Sequence, residues 1–173
     1  LHFDINKSII MTDAVSGRSM DQTLSSLLTE CTWGKCEEKP MSERSAADWV
    51  ICHPVPTTSP PIVGSITLST YLEDYTEVDK AEQRRIKRGF TDSGGMGHCF
   101  LPYQEQLAEA LKFEGVTRTD KQPDYLSAGC YHIIPSFFRL VEFLAEKNIN
   151  FNILFRTFGN DITNVCEEFN MFC

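Results

Sequence analysis

The stretch from Pro135 to the end constrains this chain most. Pro135 stands where a helix can begin, because the N–H it lacks is one that a first turn leaves unpaired anyway. Phe137, Leu140, Val141 and Leu144 then line one helical face, and Asn148 is suited to end it. Residues 149–155 read as a strand. Asn160 can cap a further helix, whose Ile162, Val165, Cys166 and Phe169 fall at i, i+3, i+4 and i+7. Residues 1–5 read as a short buried strand. A helix–strand–helix run combined with a strand at the start of the chain predicts an α/β fold with a parallel sheet flanked by helices.

Between these ends the pattern is less regular. Ser19 and Gln22 form a plausible capping box for a helix over 20–32, with Met20, Leu24, Leu27, Leu28 and Cys31 at helical spacing and a stop near Gly34. Residues 8–12 are β-prone, 48–53 read as a strand, and "PVPTTSPP" as an extended loop. The β-branched run over 66–72 predicts a strand. A polar helix is expected over 76–88, stopping at Gly89, then a loop "TDSGGMGHC". A second amphipathic helix is expected over 103–113, with Leu107, Ala110 and Leu111 on one face.

Composition narrows the function classes. The 173 residues are 42% hydrophobic and 23% charged, ordinary for a globular chain. A net charge of −8 argues against a general nucleic-acid binder, which needs a basic face. No apolar run approaches the roughly 20 residues of a membrane span. Seven cysteines, an odd count at irregular spacing, suit a reducing, cytoplasmic setting better than a disulfide framework. Cys52-His53 and His98-Cys99 carry zinc-competent donors without the paired short spacings of structural zinc sites. The "RRIKR" run at 84–88 reads as a solvated helix face, with an anionic-partner patch as the alternative. "GGMG" lacks the Lys-Ser/Thr of a phosphate-binding loop, and His53 and His132, beside apolar residues, read as core or boundary histidines.

Ligands of open parallel sheets collect beyond the carboxyl ends of the strands. Asp4 and Thr157 both stand there, each straight after an apolar strand, and the helix starting near Asn160 turns its free N–H groups towards the same crevice. A carboxylate, a hydroxyl and a helix N-terminus make a set suited to a phosphoryl group.

"HFDINKSII" resembles the first motif of the haloacid dehalogenase superfamily, and "NILFRTFGND" its second. The resemblance implies a Rossmann-like core in which Asp4 attacks phosphorus. Thr157, with the backbone of Phe158 and Gly159, would hold the phosphoryl oxygens, and Mg2+ would sit on Asp4 and the backbone carbonyl of Asn6. Residues 1–18 and 132–173 would then form a partial core, and 19–131 a cap-like or core-extending insertion. The expected function is the amino-terminal part of a Mg2+-dependent phosphohydrolase or phosphotransferase acting on a phosphorylated small molecule.

The departures are specific. The family places a second Asp where this chain has Asn6, and an amide neither protonates a leaving group nor deprotonates water. The third-motif Lys has no counterpart, since Arg156 is the one basic residue after Lys147. Glu167 and Glu168 fall inside a predicted helix rather than at a strand end, so the acidic fourth motif is absent as well. The alternatives are a catalytically inert binding or regulatory protein on the same fold, and an unrelated α/β interaction domain.

Overall fold

A computed structural model describes residues 1–5, 8–10, 19–112, 130–157 and 161–173. The chain divides into two units: Leu1–Met20 with Leu107–Cys173, and Asp21–Gln106.

The first unit is built on the expected strand pair. β1 (His2–Asp4) and β5 (Leu154–Arg156) lie parallel, with His2 opposite Leu154, Phe3 opposite Phe155 and Asp4 opposite Arg156. Pairing continues beyond β1, where the Ile5 N–H donates to the Arg156 carbonyl at 2.9 Å. Two helices flank this pair, α5 (Pro135–Glu146) and α6 (Ile162–Phe172). Pro135 opens α5 as expected, and Asn148, at φ 52°, ends it in the left-handed conformation that Asn tolerates. The unit is therefore mixed α/β with a small parallel sheet.

Its core is aromatic. Phe137 stands 5.1 Å edge-on from Phe3, 5.8 Å from Phe155 and 6.0 Å from Phe169, with Ile5, Ile9, Ile133 and Val165 buried beside them. Such ring pairs add about 0.5–1.5 kcal/mol each beyond their buried area. The buried face of α5 is Phe137, Phe138 and Val141, while Leu140 stays exposed. Phe137 and Val141 are buried as expected, and Phe138, whose ring lies 4.4 Å from that of Phe172, joins them where Leu140 does not. On α6 it is Val165 and Glu168 that are buried, and Cys166 is exposed. The β-prone stretch at 8–12 contributes one antiparallel bridge, Ile10 to Ile133; residues 11 and 12 lie outside the described residues.

The second unit carries α1 (Met20–Leu28), an antiparallel sheet in the order β3 (Trp49–Ile51), β2 (Trp33–Cys36), β4 (Ile66–Thr67), then α2 (Leu68–Asp74), α3 (Lys80–Arg88) and, as far as Gln106, α4 (Leu101–Ala110). Gly34 does not stop a helix; it lies within β2, where a Cβ would come within 2.4 Å of the Trp49 ring. The run over 66–72 is a strand for two residues and then a helix. The Thr67 hydroxyl accepts from the Thr70 N–H at 3.2 Å, capping α2, and Leu68, Tyr71 and Leu72 fall at helical spacing into the core. Capping and burial outweigh the β preference of its branched residues.

The α3 helix begins at Lys80 because the Asp79 carboxylate accepts from the N–H groups of Ala81 and Glu82, and Arg85, Lys87 and Arg88 in the last turn complement its dipole. On α4 the expected face is wrong: Leu107 and Ala110 are exposed and the buried residue is Gln104, while Leu111 is buried just past the helix. Gln104 is drawn in by the hydroxyl of buried Thr91, which hydrogen-bonds its side-chain oxygen. Indole and phenol groups find acceptors: the Trp33 N–H donates to the Thr57 carbonyl, that of Trp49 to the Ile66 carbonyl, and the Tyr71 hydroxyl to the Ser45 carbonyl.

Candidate functional site

Phe3 and Phe155 are register partners that both pack on the core of the first unit. Side chains alternate along a strand, so the next pair, Asp4 and Arg156, shares the opposite face, and both are exposed. Thr157 follows β5 directly and is half-buried. The parallel register thus brings Asp4 and Thr157 to the same, carboxyl-terminal edge of the pair. Arg156 stands beside Asp4 in that register, placing a cation at the same edge. Asn6, Phe158, Gly159 and the expected cap Asn160 lie outside the described residues. Asp161 occupies the cap position of α6, with no side-chain cap hydrogen bond.

The same unit holds a buried polar group on α6. Glu168, 3% exposed, accepts from the backbone N–H of His132 at 3.0 Å and of Ile133 at 3.1 Å. Those donors belong to the segment just before α5, so the carboxylate ties α6 to the entry of α5. Burial pushes Glu168 up to about 7, against the pull of the two backbone hydrogen bonds. His132 is buried too, as its apolar neighbours predict. Desolvation lowers its pKa, and the charge of nearby Asp161 works the other way. Asp161 is itself 3% exposed, and its Oδ2 meets no hydrogen-bond donor among the described residues. The signal for Glu168 was present: it stands three residues after Val165, on the apolar face of the helix.

These shifts make stability depend on pH in opposite senses. Glu168 has a folded pKa raised from 4.5 to about 7, so its contribution is fully present below about 4.5 and is lost as pH rises through about 7. His132, lowered from 6.5, contributes above 6.5 and loses that contribution as pH falls through its depressed value. Denaturation midpoints of wild type and Glu168→Gln between pH 4.5 and 8 separate the two. The variant is expected to lose the decline towards pH 8 and to keep the decline towards acid. A decline towards pH 8 of equal size in both proteins would rule out Glu168 as its source.

Of the two expected Mg2+ ligands Asp4 is described, while Asn6 lies outside the described residues. Magnesium takes oxygen ligands in near-octahedral geometry, commonly one or two carboxylates with phosphate and water. Asp4 is one carboxylate, with Arg156 in register beside it, and among the described residues no three His, Cys, Asp or Glu side chains are grouped to hold a metal. Nor do the two zinc-competent pairs converge: ring Nδ1 of His53 contacts the Val55 carbonyl at 2.8 Å and that of His98 the Thr91 carbonyl at 3.0 Å, each within its own loop.

No helix among the described residues is long and apolar enough to cross a membrane. Comparison with protein-family models, with curated proteins and with solved structures found no match.

Proposed function

We propose that the carboxyl-terminal edge of β1 and β5 is a phosphoryl site of haloacid dehalogenase type on a Rossmann-like core, part of a phosphohydrolase or phosphotransferase. The observation that supports it is the in-register parallel pairing that puts Asp4 and Thr157 at one edge. In this reading an Asp4 carboxylate oxygen forms a bond to phosphorus as the bond to the leaving oxygen breaks. The Thr157 hydroxyl and the backbone of Phe158 and Gly159 hold the phosphoryl oxygens. Arg156 offsets charge at the same edge. The departing oxygen needs a proton and the later water must lose one, and Asn6 can do neither. General acid–base help is typically worth about 10²–10⁴-fold in rate, so no appreciable aryl phosphate hydrolysis is expected of these 173 residues. Asn6 also favours a second reading, an inert binding or regulatory protein with the same site.

Titration with inorganic phosphate, followed by backbone amide shifts, tests the site. The amides of Thr157 and of the first turn of α6 are expected to move. Thr157→Val should weaken binding about 10- to 150-fold, because a hydrogen bond to a charged group contributes about 1.5–3 kcal/mol. Asp4→Asn should tighten it, since a carboxylate in bonding range of phosphorus repels the free anion. Phosphate that leaves these amides unmoved, or is indifferent to both variants, would remove the proposal. Asn6→Asp divides the two readings: the enzyme reading expects hydrolysis to rise when the acid is restored in an otherwise complete protein, and the inert reading expects no rise.

A further inference from the structure

We infer that the second unit holds an anion site of its own, in a cleft between α3 and the 92–96 loop, suited to a small molecule that joins a phosphate or diphosphate to an apolar ring. The cleft has a volume of about 930 Å3, and all its lining residues belong to this unit. That is the size range of small-molecule and cofactor pockets.

Three guanidiniums line it, Arg84, Arg85 and Arg88, against two carboxylates, Glu82 and Asp92. Arg85 is committed: its Nε and Nη2 donate to both oxygens of Glu82 at 2.6 Å each, so this pair cancels. Arg84 and Arg88 have no ion-pair or hydrogen-bond partner among the described residues, and the Nε of Arg88 is screened from solvent without an acceptor. At i and i+4 on one helix their Cβ atoms are about 6 Å apart. Two guanidinium forks at that spacing suit the oxygens of a phosphate or diphosphate, which they bind in planar, paired geometry.

The solvated-face reading of "RRIKR" explains exposed charge in a last helical turn, but not why two uncommitted arginines border a cavity. The opposite wall is shaped by backbone. Gly95 donates to the Asp92 carbonyl at 2.8 Å, and a Cβ on it would come within 2.3 Å of the Gly89 carbonyl, so the loop closes directly onto the end of α3. Ala46, Ala47, Ile86 and Met96 supply an apolar lining for the rest of the ligand. The concave shape and the chain's overall charge of −8 favour a small molecule over a nucleic-acid strand.

The test uses the full chain with ADP, inorganic pyrophosphate and a short single-stranded RNA as probes. ADP is expected to bind saturably, shifting the amides of Ala81 and Gly94, and about 10-fold more tightly than pyrophosphate because of the apolar lining. Arg84→Gln with Arg88→Gln should weaken ADP at least 10-fold, while Lys80→Gln, an exposed cation of α3 outside the cleft, should leave it unchanged. Unaltered tryptophan fluorescence in the double variant shows that its unit remains folded, since Trp33 and Trp49 both lie there. Absence of ADP binding, or an equal loss with Lys80→Gln, would overturn the site. Pyrophosphate as tight as ADP would overturn the apolar-ring assignment, and RNA bound more tightly than ADP through the same two arginines would overturn the small-molecule assignment.

Discussion

Glu168→Ala is expected to destabilise the unit that contains α5 and α6 by about 2–6 kcal/mol, because it leaves two buried donors without an acceptor at roughly 1–3 kcal/mol each. That is a large part of the roughly 5–15 kcal/mol by which domains are ordinarily stable. The His132 and Ile133 N–H groups cannot turn to water, since both residues are buried. They also cannot be taken up by α5, which starts after them at Pro135. Amide hydrogen exchange at neutral pH reads the effect at its source: protection of His132, Ile133 and α6 should fall together. Glu168→Gln retains one side-chain carbonyl and should cost less, since it leaves one donor served. Unchanged exchange at His132 and Ile133 in the alanine variant would mean that the carboxylate is not their acceptor.

In the second unit Gly97→Ala should cost about 3 kcal/mol, at the upper end of the usual range for overpacking a core. The added methyl would come within 2.1, 2.2 and 2.4 Å of three atoms of the Phe90 ring. That ring has nowhere to go: it is 1% exposed, stacked at 5.9 Å on Phe100 and edge-on at 6.5 Å to Trp49. The backbone is pinned as well, since the Gly97 N–H donates to the Phe90 carbonyl at 2.8 Å. Gly94→Ala is the matched control. At φ 86° it carries dihedral strain, about 1–2 kcal/mol, with nothing within 4 Å of the new methyl. Denaturation followed by tryptophan fluorescence compares the two within the unit that holds both tryptophans. A Gly97→Ala variant as mild as Gly94→Ala would show that the Phe90 ring yields where its packing says it cannot.

Much of the first unit was legible because its signals are local. Pro135, Asn148 and the apolar spacing of α5 and α6 locate two helices. Short apolar strands ending in Asp4 and before Thr157 predict a parallel pair, and the register confirms it. Local signals fail where two local rules compete or where the outcome depends on a distant partner. Residues 66–72 satisfy both a β-branched pattern and a capped helical one, and burial of Tyr71 and Leu72 selects the helix.

What the sequence by itself determined is where α1 and α5 begin and the strand-end positions of Asp4 and Thr157, since propensity, capping and periodicity act within a turn or two. The tertiary structure decided which side of each helix faces inward and what each charge meets. Leu140 and Leu107 stay outside, Gln104 goes in to meet Thr91, and Glu168 becomes a buried acid because two backbone N–H groups more than thirty residues earlier need an acceptor. Arg85 meets Glu82 three residues before it, a pairing the sequence itself contains, whereas the tertiary structure decided that Arg84 and Arg88 border a cleft. Periodicity defines a face, but the free energy of burying or charging that face depends on what the fold sets opposite it.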